Sequence, residues 1–207
     1  YIFNVSSIKD ITESKYPAHK VRSILLSCQY GLSAKASEEP IGIPMLRMNN
    51  IINSEISYEE LKYIKLTEKQ KESVLLQKGD LLFNRTNSKE LVGKTAVFDR
   101  AEDYTFASYL IRLKVNPEKV NVYFINYLFN SPIGRIQIDM ISRQVLGQAN
   151  VNAQELQDFI FPIPDIATQE QIVADISTIK AEAKNLKELA EQHRKEAIKE
   201  FEKAVIG

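Results

Sequence analysis

The C-terminal stretch leaves this chain the least freedom. After Pro164 neither proline nor glycine occurs until Gly207, so no residue there breaks or terminates a helix. Thr168-Gln169-Glu170-Gln171 reads as a capping box. The pattern predicts a helix from about Gln169 to Ala204, about 54 Å long at 1.5 Å per residue. Along it, steps of four and three residues align Ile172, Ile176, Ile179, Ala183, Leu186, Ala190, His193 and Ala197. That is a heptad seam, with alanine recurring at every seventh position so that a second helix can approach closely. Alone in water the seam would stay wet. It calls for a partner: the body of the same chain, another protein, or a second copy, which is the expected one.

The rest of the chain reads differently. Short apolar runs alternate with turn signals over residues 1–165, and residues 166–207 form the helical arm, so the expected class is α+β with a long C-terminal coiled-coil helix. The single cysteine, Cys28, excludes an internal disulfide and a cysteine-based zinc cluster, and fits a reducing cytoplasm. No apolar run is long enough to span a membrane. Formal net charge is zero, and residues 1–165 hold 20 Lys and Arg against 19 Asp and Glu. A strongly basic nucleic-acid binder is thereby excluded, and any basic face must be local.

Within the first part, Gly79 to Lys94 (GDLLFNRTNSKELVGK) is the most informative segment. Gly79-Asp80 marks a turn, Leu81-Leu82-Phe83 a buried strand, and Gly93 a second turn before the strand Thr95 to Phe98. Between them lie Asn84, Arg85, Thr86, Asn87, Ser88 and Lys89, a polar tip suited to two-point hydrogen bonds with a planar partner. A plain solvated hairpin has the same composition. Elsewhere, Thr67 to Gln70 is a capping box for a short helix. Asn121, Ser131-Pro132 and Asn152 open three more. Phe106 to Val115 alternates as a strand with Tyr109, Ile111, Leu113 and Val115 toward the core and Leu110, Arg112 and Lys114 opposite. Arg47, in an otherwise apolar strand, calls for a structural ion pair or a contact outside the chain.

Four segments in order carry a family resemblance: Ile43-Pro44-Met45-Leu46-Arg47-Met48-Asn49-Asn50-Ile51, the Gly79–Lys94 hairpin, Gly147-Gln148-Ala149-Asn150-Val151-Asn152, and Pro162-Ile163-Pro164 with Gln169-Glu170-Gln171-Ile172. Together they resemble specificity subunits of type I restriction–modification systems and the recognition modules of methyltransferase-fused relatives. The resemblance implies a target recognition domain that reads double-stranded DNA and directs adenine methylation and cleavage by partner subunits. Those partners are a DNA methyltransferase, which would bind S-adenosylmethionine, and, in restricting complexes, a restriction subunit. This chain itself would hold no cofactor, metal or catalytic residue. Candidate DNA contacts are Ser33, Lys35, Arg47, Asn49, Arg85, Thr86, Asn87, Ser88, Lys89, Lys94, Arg143 and Gln148. Full-length members carry two recognition domains and two helices, whereas this sequence holds one of each. A half-subunit that pairs through its helix is therefore expected, with a split palindromic target whose half-sites lie within about 15 base pairs at 3.4 Å each.

Catalytic signatures are sparse. No glycine-rich phosphate loop and no methyltransferase Asn/Asp-Pro-Pro-aromatic motif occurs. Pro164-Asp165 with Glu182-Ala183-Lys184 imitates a nuclease signature, but its carboxylates would lie about 20 Å or more apart along one helix. The alternative to DNA recognition is a non-catalytic scaffold with a coiled-coil arm and no nucleic-acid binding, which the neutral charge suits.

Overall fold

The computed structural model describes residues 13–141, 143–145 and 148–207, and gives no side-chain detail at 142–148. It divides into two compact units, a head through Gln169 and a stalk from Glu170. In chain order the strands are β1 (Ala18–Lys20), β2 (Leu25–Tyr30), β3 (Ile43–Leu46), β4 (Ile51–Ile52), β5 (Glu55–Ile56), β6 (Lys62–Ile64), β7 (Leu81–Asn84), β8 (Thr86–Asn87), β9 (Thr95–Val97), β10 (Thr105–Phe106), β11 (Leu110–Val115), β12 (Arg143–Val145), β13 (Gln148–Asn150) and β14 (Ile160–Pro162). The helices are α1 (Glu68–Val74), α2 (Val122–Asn130), α3 (Pro132–Ile141), α4 (Ala153–Gln157) and α5 (Ile166–Ile206).

The head is organised on an antiparallel sheet in the order β2-β11-β7-β9. Both of its faces are covered. Leu82, Ala96 and Leu110 pack with Leu46, Ile51, Leu76, Phe98 and Phe106. On the other side Phe83 meets Phe129 of α2 edge-on at 5.7 Å between ring centroids, and Phe129 meets Phe161 at 5.0 Å. All four expected helix starts hold, and α3 begins at Pro132 directly after Ser131. Thr67 accepts from the Gln70 N–H, Asn121 from Tyr123 and Phe124, and Asn152 from Gln154 and Glu155, each satisfying donors that a helix N-terminus leaves open.

Three expectations need correction. The Leu110–Lys114 face of β11 is not solvent-facing: Arg112 is buried beside the Phe106 ring, 5.4 Å from its centroid. The charge is tolerated because Asp80 lies 3.6 Å away and the carbonyls of Leu75 (2.8 Å) and Ser73 (3.0 Å) accept from it, together with Gln29. Conversely Tyr109, assigned to the core, is 50% exposed, because the strand begins only at Leu110. The long helix also starts earlier than its capping box suggests. Asp165 is the cap, accepting from the Thr168 N–H at 3.0 Å and the Thr168 hydroxyl at 2.8 Å. Gln169 is instead buried in the head, where its Oε1 accepts from the Asn121 N–H (2.8 Å) and its Nε2 donates to Lys119 O (3.1 Å) and Pro164 O (2.8 Å).

Two carboxylates give opposite pH signatures. Asp158 is held below the ordinary carboxylate range by the Lys20 ammonium at 3.2 Å and by Arg22. Its contribution is present above the unfolded pKa and is lost as pH falls through the folded one. Asp80 is pushed up by burial, which outweighs the Gln77 N–H, Arg112 and Lys114. Its contribution is fully present below the unfolded pKa and is lost as pH rises through the folded one. An Asp158→Asn chain should therefore lose less melting temperature than the wild type between neutral pH and the acid range. Equal losses would show that the Lys20–Asp158–Arg22 contact adds nothing to stability.

Candidate nucleic-acid interface

The polar hairpin is held from within by Asn84. This residue is buried; its N–H donates to Lys94 O (2.9 Å), its carbonyl accepts from Gly93 (2.8 Å), and its Nδ2 donates to Leu91 O (3.2 Å). Gly93 sits at φ +87, and a Cβ there would lie 2.1 Å from Ile138 Cδ1, so only glycine closes this turn against α3. At the tip, the Asn87 Oδ1 accepts from the Ser88 N–H (2.9 Å), and the Ser88 carbonyl accepts from Val92 (2.9 Å).

Two segments distant in sequence meet here. β8 pairs with β13, setting Thr86 opposite Asn150 and Asn87 opposite Ala149, and β13 pairs in turn with β12. The Arg85 carbonyl accepts from Val151 (2.9 Å), and its N–H donates to Tyr109 O (3.0 Å). The half-buried Arg85 side chain donates through Nη2 to Asn150 Oδ1 (2.9 Å) and lies 5.1 Å from the Tyr30 ring centroid. Tyr30 is fixed at its far end, where its hydroxyl accepts from the Ala153 N–H (2.8 Å). The guanidinium is thus oriented by an amide and an aromatic face. Its Nε is shielded from solvent and unpartnered, as are Thr86 Oγ1 and Asn84 Oδ1.

The strand ends converge on this point. β2 and β7 both run antiparallel to β11, so Tyr30 and Asn84 end at the β11 N-terminus. β3 runs parallel to β10, and Ala107 N–H donates to Leu46 O (2.9 Å). The chain after Tyr30 lies against Phe106 to Ser108 through Leu32 N–H to Phe106 O and Ser108 N–H to Leu32 O, both 2.9 Å. Gly31 allows this approach, since a Cβ there would sit 2.4 Å from the carbonyl oxygens of Phe106 and Ala107.

The individual candidates fare unequally. Ser33, Lys35, Asn49 and Lys89 are exposed, and Asn87 and Ser88 are half-buried. Arg47 binds a backbone carbonyl, Glu60 O at 2.7 Å, where an ion pair was one expectation. Thr86 is corrected: it is 6% exposed, because pairing with β13 turns it inward. Lys94 is half-buried and lines a cavity of about 220 Å³ with Asn130, Arg135 and Ile138. The side chains of Arg143 and Gln148 lie outside the described residues, although their backbones belong to β12 and β13. Sequence reasoning missed Tyr30 and Asn150, of which only Asn150 lies within one of the four family segments.

Among the described residues no group of His, Cys, Asp and Glu is arranged to hold a metal, and no helix is long and apolar enough to cross a membrane. The family model for the type I restriction modification DNA specificity domain matches residues 4–203. The chain belongs to this family. The EcoKI specificity subunit of Escherichia coli is 26% identical over 176 residues, covering 81% of this chain and 38% of that protein. A protein named as the MjaX specificity subunit of Methanocaldococcus jannaschii is 27% identical over 177 residues, covering 84% and 41%. The solved S subunit of a type I system from M. genitalium superposes with a TM-score of 0.59 at 14% identity, covering 89% of this chain and 44% of that one. This specificity domain thus spans about two fifths of the length of the curated relatives it matches, and shares its mixed sheet and long terminal helix with the solved specificity subunit.

Proposed function

We propose that the head reads a short sequence in double-stranded DNA, and that the chain acts as a non-catalytic specificity module for partner enzymes. The carrying observation is Arg85: a fork fixed by Asn150 and Tyr30, with donors left uncommitted, at a point where five chain segments converge. An oriented guanidinium matches guanine O6 and N7, and Asn87 or Gln148 match adenine N6 and N7. Lys35, Lys89, Lys94 and Arg143 suit phosphates, which position without specifying. Adenine methylation, with S-adenosylmethionine, and cleavage belong on this reading to a methyltransferase subunit and a restriction subunit in the cytoplasm. The stalk supplies the pairing surface through its seam.

The zero net charge favours the other reading, a scaffold that binds no nucleic acid. Selection from a randomised duplex pool by the chain assembled with its methyltransferase separates them. Enrichment of one motif is expected, and enrichment of none would favour the scaffold.

A further inference from the structure

The hairpin that presents Arg85 walls a polar cavity on its return. The Asn84 N–H donates to Lys94 O (2.9 Å), so Lys94 stands across from the residue before Arg85. Around a cavity of about 220 Å³ lie Asn53, Ser54, Glu90, Lys94, Asn130 and Arg135. Some of these groups are already engaged. Asn130 accepts from the Thr95 N–H (3.3 Å) and donates to Thr95 Oγ1 (2.7 Å). Arg135 donates through Nη1 to Val92 O (2.9 Å), and through Nε (2.9 Å) and Nη2 to Asp139, which commits three of its five N–H groups. Glu90 is exposed at the rim, where its own N–H and Ser88 hold its carboxyl below the ordinary range. Lys94 differs: half-buried, its ammonium has no ion pair and no hydrogen bond among the described residues.

The opposite wall is a strained turn. Ile52 pairs with Glu55, so Asn53 and Ser54 alone join β4 to β5, at φ +52 and +66. Two-residue turns with both residues left-handed favour asparagine followed by glycine. Here serine stands in the glycine's place, and the buried Asn126 holds it there by donating to Ser54 O (3.2 Å). A hydroxyl is thus kept where glycine would sit with less strain. That hydroxyl, like the Asn53 side chain, has no partner among the described residues. We propose that this cavity grips one phosphate oxyanion, taken from the backbone of the duplex that Arg85 reads. Lys94 supplies the charge. The remaining Arg135 N–H groups, the Ser54 hydroxyl and the Asn53 amide donate hydrogen bonds. Asp139 already balances Arg135, and Glu90, in water, is screened, so Lys94 dominates. On the proposed DNA reading, on which this assignment rests, the return of the hairpin fixes register on the backbone while Arg85 discriminates between bases. A chain of zero net charge needs such a local contact.

Binding of a mixed-sequence duplex by the full chain assembled with its methyltransferase, across a range of salt concentrations, is the test. Lys94→Gln should flatten the slope of log K against log salt by about 0.9, the share of one phosphate, and weaken all sequences alike. Ser54→Gly suits the turn and removes only a neutral donor. It should lower affinity with the slope intact, and should add little to Lys94→Gln, because both residues hold the same phosphate. An unchanged slope in Lys94→Gln, or fully additive losses, would overturn the proposal. Inorganic phosphate added to the full chain alone separates the sources. Its ³¹P line should broaden with the unaltered chain and not with Lys94→Gln; broadening that is absent, or that persists in Lys94→Gln, counts against the cavity. Broadening lost in Lys94→Gln together with an unchanged duplex slope would mean a site for free phosphate, and the assignment to the duplex falls. A flattened slope with no motif enriched from the randomised pool would sink the recognition reading and leave this site standing.

Discussion

An Asp80→Ala chain is expected to lose about 3–5 kcal/mol of stability, a large part of what a domain of this size possesses. Asp80 and Arg112 have side chains only 4% and 7% exposed and lie 3.6 Å apart. Removing the carboxylate leaves a buried guanidinium with neutral acceptors alone, the Ser73 and Leu75 carbonyls and Gln29. Lys114, at 4.0 Å from Asp80, also loses its counterion. The same carboxylate accepts from the Gln77 N–H at 2.9 Å, which fixes the turn leading into β7 and so into the polar hairpin. Replacing the pair together, Asp80→Leu with Arg112→Met, should cost much less, because no charge is then stranded. Urea denaturation midpoints decide the matter. Equal losses in the single and double variants would show that the Gln77 turn, and not the buried charge, carries the effect.

Arg85→Ala should act on selectivity and leave the fold intact. The side chain lies in no described ion pair, and its loss removes one hydrogen bond to Asn150 and one contact with Tyr30, worth about 1–2 kcal/mol of stability together. A bidentate arginine–guanine contact is worth roughly 1–3 kcal/mol of discrimination, about 5- to 150-fold against the wrong base. The expected result is a loss of that size at one base position, with non-specific binding lowered far less. Asn150→Ala should produce a smaller loss at the same position, because it frees the guanidinium without deleting it. A uniform loss across all sequences would instead place Arg85 on a phosphate.

The legible parts of this molecule are those whose physics is local. Thr67, Asn121 and Asn152 cap their helices because capping needs only three or four consecutive residues. The hairpin was readable because Gly79, Leu81 to Phe83 and Gly93 state a turn, a buried strand and a turn. What failed depended on distant partners. Arg112 looked solvent-facing because the sequence does not reveal that residues 43–76 cover its side of the sheet, or that Asp80 lies beneath it. Thr86 looked available until β13 paired with its strand. Tyr30 sits 55 positions before Arg85, and no spacing rule joins them; only the common direction of β2 and β7 does. The stalk was readable as a seam because apolar spacing along a helix is local.

The central claim is that Arg85, oriented by Asn150 and Tyr30, reads a base in DNA on behalf of a partner methyltransferase. Genome-wide mapping of methylated adenine, in cells with the gene intact, deleted, or carrying Arg85→Ala, tests it most directly. The account predicts a sequence motif whose methylation disappears on deletion and is lost or relaxed at one defined position in the Arg85→Ala cells. A methylation map identical in all three would contradict it.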